Sequence, residues 1–175
     1  ENGKMIENPF KKWSDINSSL PEIDIDVLAP PPSSGTRDAF VELVLHDVCK
    51  SEYKMDKKTY KENCSALRED GFVTEVGEND NLIIEKLTDN SERFGIFGFS
   101  FLDQNRDRVQ GSFVDGIEPS FDNIADGSYK VSRPLYFYVK KEHIGVVPGI
   151  EDYTDYFMSL SIEGGPLEDA GLIPN

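Results

Sequence analysis

Ser34, Gly35, Thr36 and Arg37 are four consecutive residues whose chemistry suits an oxyanion. The two hydroxyls donate hydrogen bonds, the guanidinium offers a planar fork of donors, and a glycine lets a ligand come close to the backbone. They close the stretch Ile25 to Phe40, which reads as a strand, a tight turn and a helix. Val27 and Leu28 end a β-like run, Pro30, Pro31 and Pro32 remove backbone donors and forbid helix there, and the Ser/Gly/Thr cluster marks a helix start. A helix N-terminus presents N–H groups without intrahelical partners at the positive end of the aligned peptide dipoles, a setting suited to phosphate or another oxyanion. The same Ser-x-Thr spelling also caps ordinary helices, so spacing alone leaves the cap and the anion site both open.

The elements that must position this turn follow from periodicity. Phe10, Trp13 and Ile16 at helical spacing predict a short helix over 7–16, and Ile23, Ile25 and Val27 alternating with Asp24 and Asp26 predict a strand with one wet face. The helix from Arg37 carries Ala39, Phe40, Leu43, Val44 and Val48 as a stripe to bury against a sheet, with His46 on the solvated side. Gly71 to Gly77 is an alternating strand, and Leu82 to Leu87 is a helix capped by Asn79 or Asp80. That second helix start could also face a ligand, with capping the plainer role. Arg93 to Leu102, dense in aromatics, is expected as a central strand. Val109 to Ile117 reads as a strand or hairpin arm, and Pro119 to Asp126 as a short helix. Ile150, Tyr153, Phe157 and Leu160 set out a helix, and Pro166 to Ala170 a last short one. Strands and helices alternate throughout, so the fold class is α/β.

Composition narrows the partners. Across 175 residues, 18 Lys and Arg stand against 33 Asp and Glu, a formal charge of −15, which argues against nucleic acid or an anionic membrane surface. It does not exclude an anionic ligand, because charges beyond about 10 Å are screened while N–H dipoles act at contact. No run of about 20 apolar residues is present. Glu1 to Met5 resemble neither a secretory leader nor a natural start, so the expectation is a mature piece or an excised domain. Cys49 and Cys64 flank the charged stretch from Lys50 to Asn63, where Tyr53, Met55 and Tyr60 are among the few apolar anchors. Two buried thiols would be the alternative, but a disulfide closing the insertion is the preferred reading. On the chain-entropy model it would contribute about 3 kcal/mol, and it implies an oxidising compartment. There is no Cys-x-x-Cys, and His46 and His143 are the only histidines, so no metal is expected. The absence of a Gly-x-Ser-x-Gly elbow, a P-loop or a base beside Ser34 argues against an enzyme, and no cofactor is implied.

The run Pro-Pro-Pro-Ser-Ser-Gly-Thr-Arg-Asp-Ala-Phe-Val-Glu-Leu from Pro30 to Leu43 resembles the phosphate-contacting segment of the periplasmic phosphate-binding proteins of ABC transporters. Similar in kind are Trp13 to Asn17 before the first strand, the Gly95-Ile96-Phe97-Gly98-Phe99 run, and the Gly171 to Pro174 tail, while Val131 to Val139, with Ser132-Arg133-Pro134-Leu135, resembles the strand that in these proteins passes from the second lobe back to the first. The resemblance covers nearly the whole chain but only the C-terminal half of such a protein. It implies a periplasmic-binding-protein-like lobe, a mixed sheet flanked by helices, over 1–140, with a disulfide-closed insertion at about 49–64. Residues 141–175 would pack on the N-terminal lobe, which is missing from this sequence. The function implied is to bind phosphate in the periplasm and deliver it to the membrane subunits of an ABC importer. Ser34, Gly35 and Thr36 would be ligands, with Ser33, Asn79 and Asp80 as candidates around them. Many members have an arginine before the turn, where this chain has Pro30 to Pro32, and Arg37 is the candidate replacement. Arg133 could be a cleft cation or a structural ion pair, the latter being preferred. Alternatives are another tetrahedral oxyanion, or a non-catalytic secreted interaction module.

Overall fold

Val27, Leu28 and Ala29 carry no charge, and their amides and carbonyls are used on both sides. This strand, β1 (Val27–Ala29), is the middle of a three-stranded parallel sheet. Its neighbours are β2 (Val73–Glu75), paired Val27 with Val73 through Ala29 with Glu75, and β3 (Phe94–Gly95), paired Val27 with Phe94 and Leu28 with Gly95. The computed structural model describes residues 6–46, 49, 56–77 and 79–174. The expectations for Val48, Tyr53 and Met55 lie outside them.

Parallel strands need long crossovers, and helices supply them. Between β1 and β2 run α2 (Gly35–Phe40), continued as a π-helical turn over Val41–Leu45, and α3 (Lys57–Ser65), whose first turn is capped by the Asp56 carboxylate. Cys49 and Cys64 are disulfide-bonded with Cα atoms 5.8 Å apart, inside this crossover. His46 is not on a solvated face as expected. It is half-buried, with Nε2 3.0 Å from the Ser65 hydroxyl and its ring 5.3 Å from that of Tyr60, because α3 folds back over it. Between β2 and β3 runs α4 (Asp80–Asp89), and β3 is followed by α5 (Phe99–Gln104).

The core lies between the sheet and α4. Leu28, Val76 and Ile83 are buried, with Leu87 and Phe97 packed against them. Gly95 permits the approach, since a Cβ there would stand 2.7 Å from Cγ2 of Ile83 and 2.9 Å from Cδ1 of Leu87. The aromatic run is therefore not the central strand. β3 is an edge of the described sheet and stops at Gly95. Gly98 then donates its amide to the Asp80 carboxylate and starts α5, so local context overrides the β preference of Phe99 and Phe101.

The first helix is also shorter than its periodicity suggests. α1 (Trp13–Ile16) begins late because the Lys11 carbonyl and the Trp13 amide are engaged with Ile25 and Ile23, while Asp15 accepts from the Lys11 and Lys12 amides.

The chain divides into two compact units, one reaching to Gln110 and one starting at Gly111, whereas the sequence reading divides it at 140/141. In the second unit the expected strand over 109–117 reduces to one bridge, Val114 with Ile117. It closes a two-residue turn in which Asp115 and Gly116 have φ of 52° and 81°, the pairing that tight hairpin turns require. Helices α6 (Phe121–Ala125), α7 (Ile150–Ser159) and α8 (Pro166–Asp169) form as expected. Val131 to Val139 forms no strand, because among the described residues no strand lies alongside to pair with it.

Candidate functional site

Because the three strands are parallel, the turns that follow them gather at one edge of the sheet. Each leads to a helix start: Ser34 after β1, Asn79 after β2 and Gly98 after β3. The order β2-β1-β3 reverses direction at β1, and in open α/β sheets a crevice opens outside the carboxyl ends of the strands at such a reversal. The β1 turn and the 96–98 turn follow the two strands on either side of that reversal.

The β1 turn is built by its prolines. Pro30 is buried at the strand end, the Ser34 amide donates to the Pro31 carbonyl at 3.0 Å, and the Ser34 Oγ caps α2 by accepting from the Thr36 amide at 3.2 Å. Ser34 and Thr36 are half-buried, and Ser33 and Gly35 are exposed. A Cβ on Gly35 would meet nothing within 4 Å, so neither packing nor a positive φ demands glycine there.

Arg37 differs from the rest by being buried, at 8% exposure. Side chains on a helix lean toward its N-terminus, and this one reaches back so that Nη1 donates to the Pro30 carbonyl at 3.1 Å and to the Glu75 carboxylate at 3.3 Å. The guanidinium is thereby fixed against the β1 turn. Glu75 is a residue that sequence reasoning passed over. Its signal was a carboxylate at the end of an alternating strand just before a turn.

Asn79 acts as a cap, its side chain accepting from the Asn81 amide at 3.0 Å. Asp80 is buried, and one carboxylate oxygen accepts from the Gly98 amide at 3.2 Å. Burial pushes its carboxyl above the ordinary carboxylate range, and the Gly98 amide opposes the shift. Asp80 thus ties the start of α4 to the start of α5 across the same edge of the sheet. Arg133 belongs to the other unit, where it is exposed. Among the described residues no group of His, Cys, Asp and Glu is arranged to hold a metal ion, and no helix is long and apolar enough to cross a membrane.

A parallel sheet with helix starts collected at its carboxyl edge is the arrangement of an open α/β domain. The chain belongs to a known family of this kind: residues 3–161 match the model of the PBP superfamily domain. Among curated relatives, the phosphate-binding protein PstS of Staphylococcus haemolyticus is 30% identical over 97% of this chain and 48% of its own length. The phosphate-binding protein PstS of Staphylococcus epidermidis is 31% identical over 93% of this chain and 44% of its own. The chain spans about half the length of these relatives. Two solved structures share the fold. One is a possible phosphate binding protein from Planctomyces limnophilus, with a TM-score of 0.61 and 22% identity over 87% of this chain and 49% of that one. The other is PstS from Borrelia burgdorferi, with a TM-score of 0.56 and 17% identity over 90% and 55%.

Proposed function

We propose that this chain is one part of a two-lobed solute-binding protein that holds inorganic phosphate outside the cytoplasmic membrane and delivers it to the membrane subunits of an ABC importer. The hydroxyls of Ser34 and Thr36, the backbone at Gly35 and the Arg37 guanidinium hold the anion, with Ser33, Asn79 and Asp80 around them. The observation that carries this reading is Arg37, a buried cation fixed beside the Ser-Gly-Thr turn at the carboxyl edge of a parallel sheet. The names of the relatives support phosphate over another tetrahedral oxyanion.

Residues 141–175 in this reading lie against the complementary lobe. Tyr153 is 64% exposed, Tyr156 65% and Met158 55%, a large apolar display for a helix of this length. The same display would suit a secreted interaction module, which predicts no saturable anion site.

Calorimetric titration of the full-length polypeptide with inorganic phosphate separates the two. Saturable binding is expected, and Arg37→Ala should weaken it by about tenfold to a hundredfold, since hydrogen bonds to charged groups contribute about 1.5–3 kcal/mol. Thr36→Val should cost less. If both folded variants bind as the parent does, the turn is only a helix cap.

A further inference from the structure

We propose that Glu75 sets the affinity of the oxyanion site by acting as a counter-charge on Arg37; this rests on the reading above. Glu75 is the last residue of β2 and stands directly beside Ala29, the last residue of β1, so its carboxylate is delivered to the edge where the Ser-Gly-Thr turn begins. Its Oε1 lies 3.3 Å from Nη1 of Arg37, with the arginine side chain 9% exposed and the glutamate side chain 50% exposed.

Two features make Glu75 a counter-charge rather than a tether. The distance is long for a charge-assisted bond, which is usually about 2.7–2.9 Å. The same nitrogen also donates to the Pro30 carbonyl at 3.1 Å, so the guanidinium keeps an anchor within its own turn when Glu75 is removed. What the carboxylate contributes is negative charge beside the one buried cation recorded among the described residues. An anion that approaches Arg37 meets that charge at short range, and it also draws on donor capacity that Glu75 already occupies. Half-exposure of Glu75 moderates the repulsion without abolishing it.

The consequence is a site that binds its anion less tightly than its donors alone would allow, which suits a carrier that must release its cargo. Removing the charge while keeping the shape should tighten binding. In the full-length polypeptide, Glu75→Gln should lower the Kd for inorganic phosphate by roughly threefold to tenfold at low salt, as expected for one partly screened charge. The gain should shrink as sodium chloride is raised toward 1 M, where the screening length is about 3 Å. Glu75→Asp, which keeps the charge, should stay near the parent value. A structural tether predicts the opposite order, with Gln weaker than or equal to the parent and no change in salt dependence, and that result overturns the proposal. If Glu75→Gln fails to fold, Glu75→Ser gives the same charge removal, and a Kd at or above the parent value overturns it equally. A parent protein that does not bind phosphate sinks the functional reading itself, whereas a parent that binds with an unimproved Glu75→Gln variant sinks only this inference.

Discussion

The unit that ends at Gln110 and the unit that begins at Gly111 use apolar residues in opposite ways. In the first, Leu28, Ile83 and Ile84 are at or below 2% exposure, while in the second Leu135, Tyr136 and Tyr138 stand at 71%, 70% and 88%. Every buried hydrophobic core residue recorded lies at or before Leu102, and beyond it only Pro119 and Gly165 are buried among the described residues. Hydrophobic patterning is present in both. The first unit contains a sheet for its helices to cover, and the second, among the described residues, contains helices and turns but no sheet. Its best packing is local, with the Phe137 ring edge-on to Phe157 at 4.9 Å and Tyr153 stacked on Phe157 at 6.3 Å. An amphipathic pattern creates a demand for burial, and only a second layer meets it.

Substitutions can break or sharpen this contrast. Ile83→Ala carries the largest expected effect. Ile83 is fully buried against Leu28 and Val76, so its truncation should cost about 2–5 kcal/mol, read as a lower urea midpoint. A loss under about 0.5 kcal/mol would mean that the first unit has no tighter core than the second.

Asp80→Asn comes next and has a pH signature. Burial raises the Asp80 pKa in the folded state, so the native protein holds this proton to higher pH than the unfolded chain does. Stability should therefore fall as pH rises from the ordinary carboxylate pKa through the raised one, and level off above it. Asparagine can still accept from the Gly98 amide without carrying charge. The variant should lose that pH dependence and be at least as stable as the parent at pH 7, with a change of about 1 kcal/mol or less. Unfolding midpoints measured from pH 4 to 8 give the answer, and a variant that is less stable at pH 7 would identify the charge as stabilising. Tyr156→Ser should do least. With 65% of the residue exposed, stability should change by less than about 0.5 kcal/mol in denaturant titrations of this chain, and a larger loss would reveal packing in the second unit that its exposure hides.

Much of the first unit was legible in the sequence. The proline-marked turn, the cap at Ser34 and the strand at Val73 to Glu75 follow from turn chemistry and alternation, and the structure has them. The helices at Ile150 and Pro166 were equally legible from spacing. The failures share a cause. Phe97, Phe99 and Phe101 alternate as a strand would, but what ends β3 is a contact with Asp80, far away in sequence. Val131 to Val139 has strand composition, and a strand needs a neighbour that composition cannot provide. The candidate site shows the same limit. Ser34 to Arg37 could be read in a line, but the carboxylate that meets Arg37 arrives from another strand through sheet register, which no local pattern encodes.

The order of the strands also bears on how the first unit is made. β1 is the earliest strand in the sequence and the one in the middle, so it must stay unpaired until β2 and then β3 have been synthesised and brought back to it. Such non-local closure slows folding, because the entropy of closing each loop is lost before the contacts that compensate for it form. The Cys49–Cys64 bond lies within the first of these loops and shortens its free length. Oxidation before β2 docks should therefore speed pairing of β1 with β2, which closes the longer of the two loops, since β3 then returns to the sheet across only the segment from Val76 to Arg93.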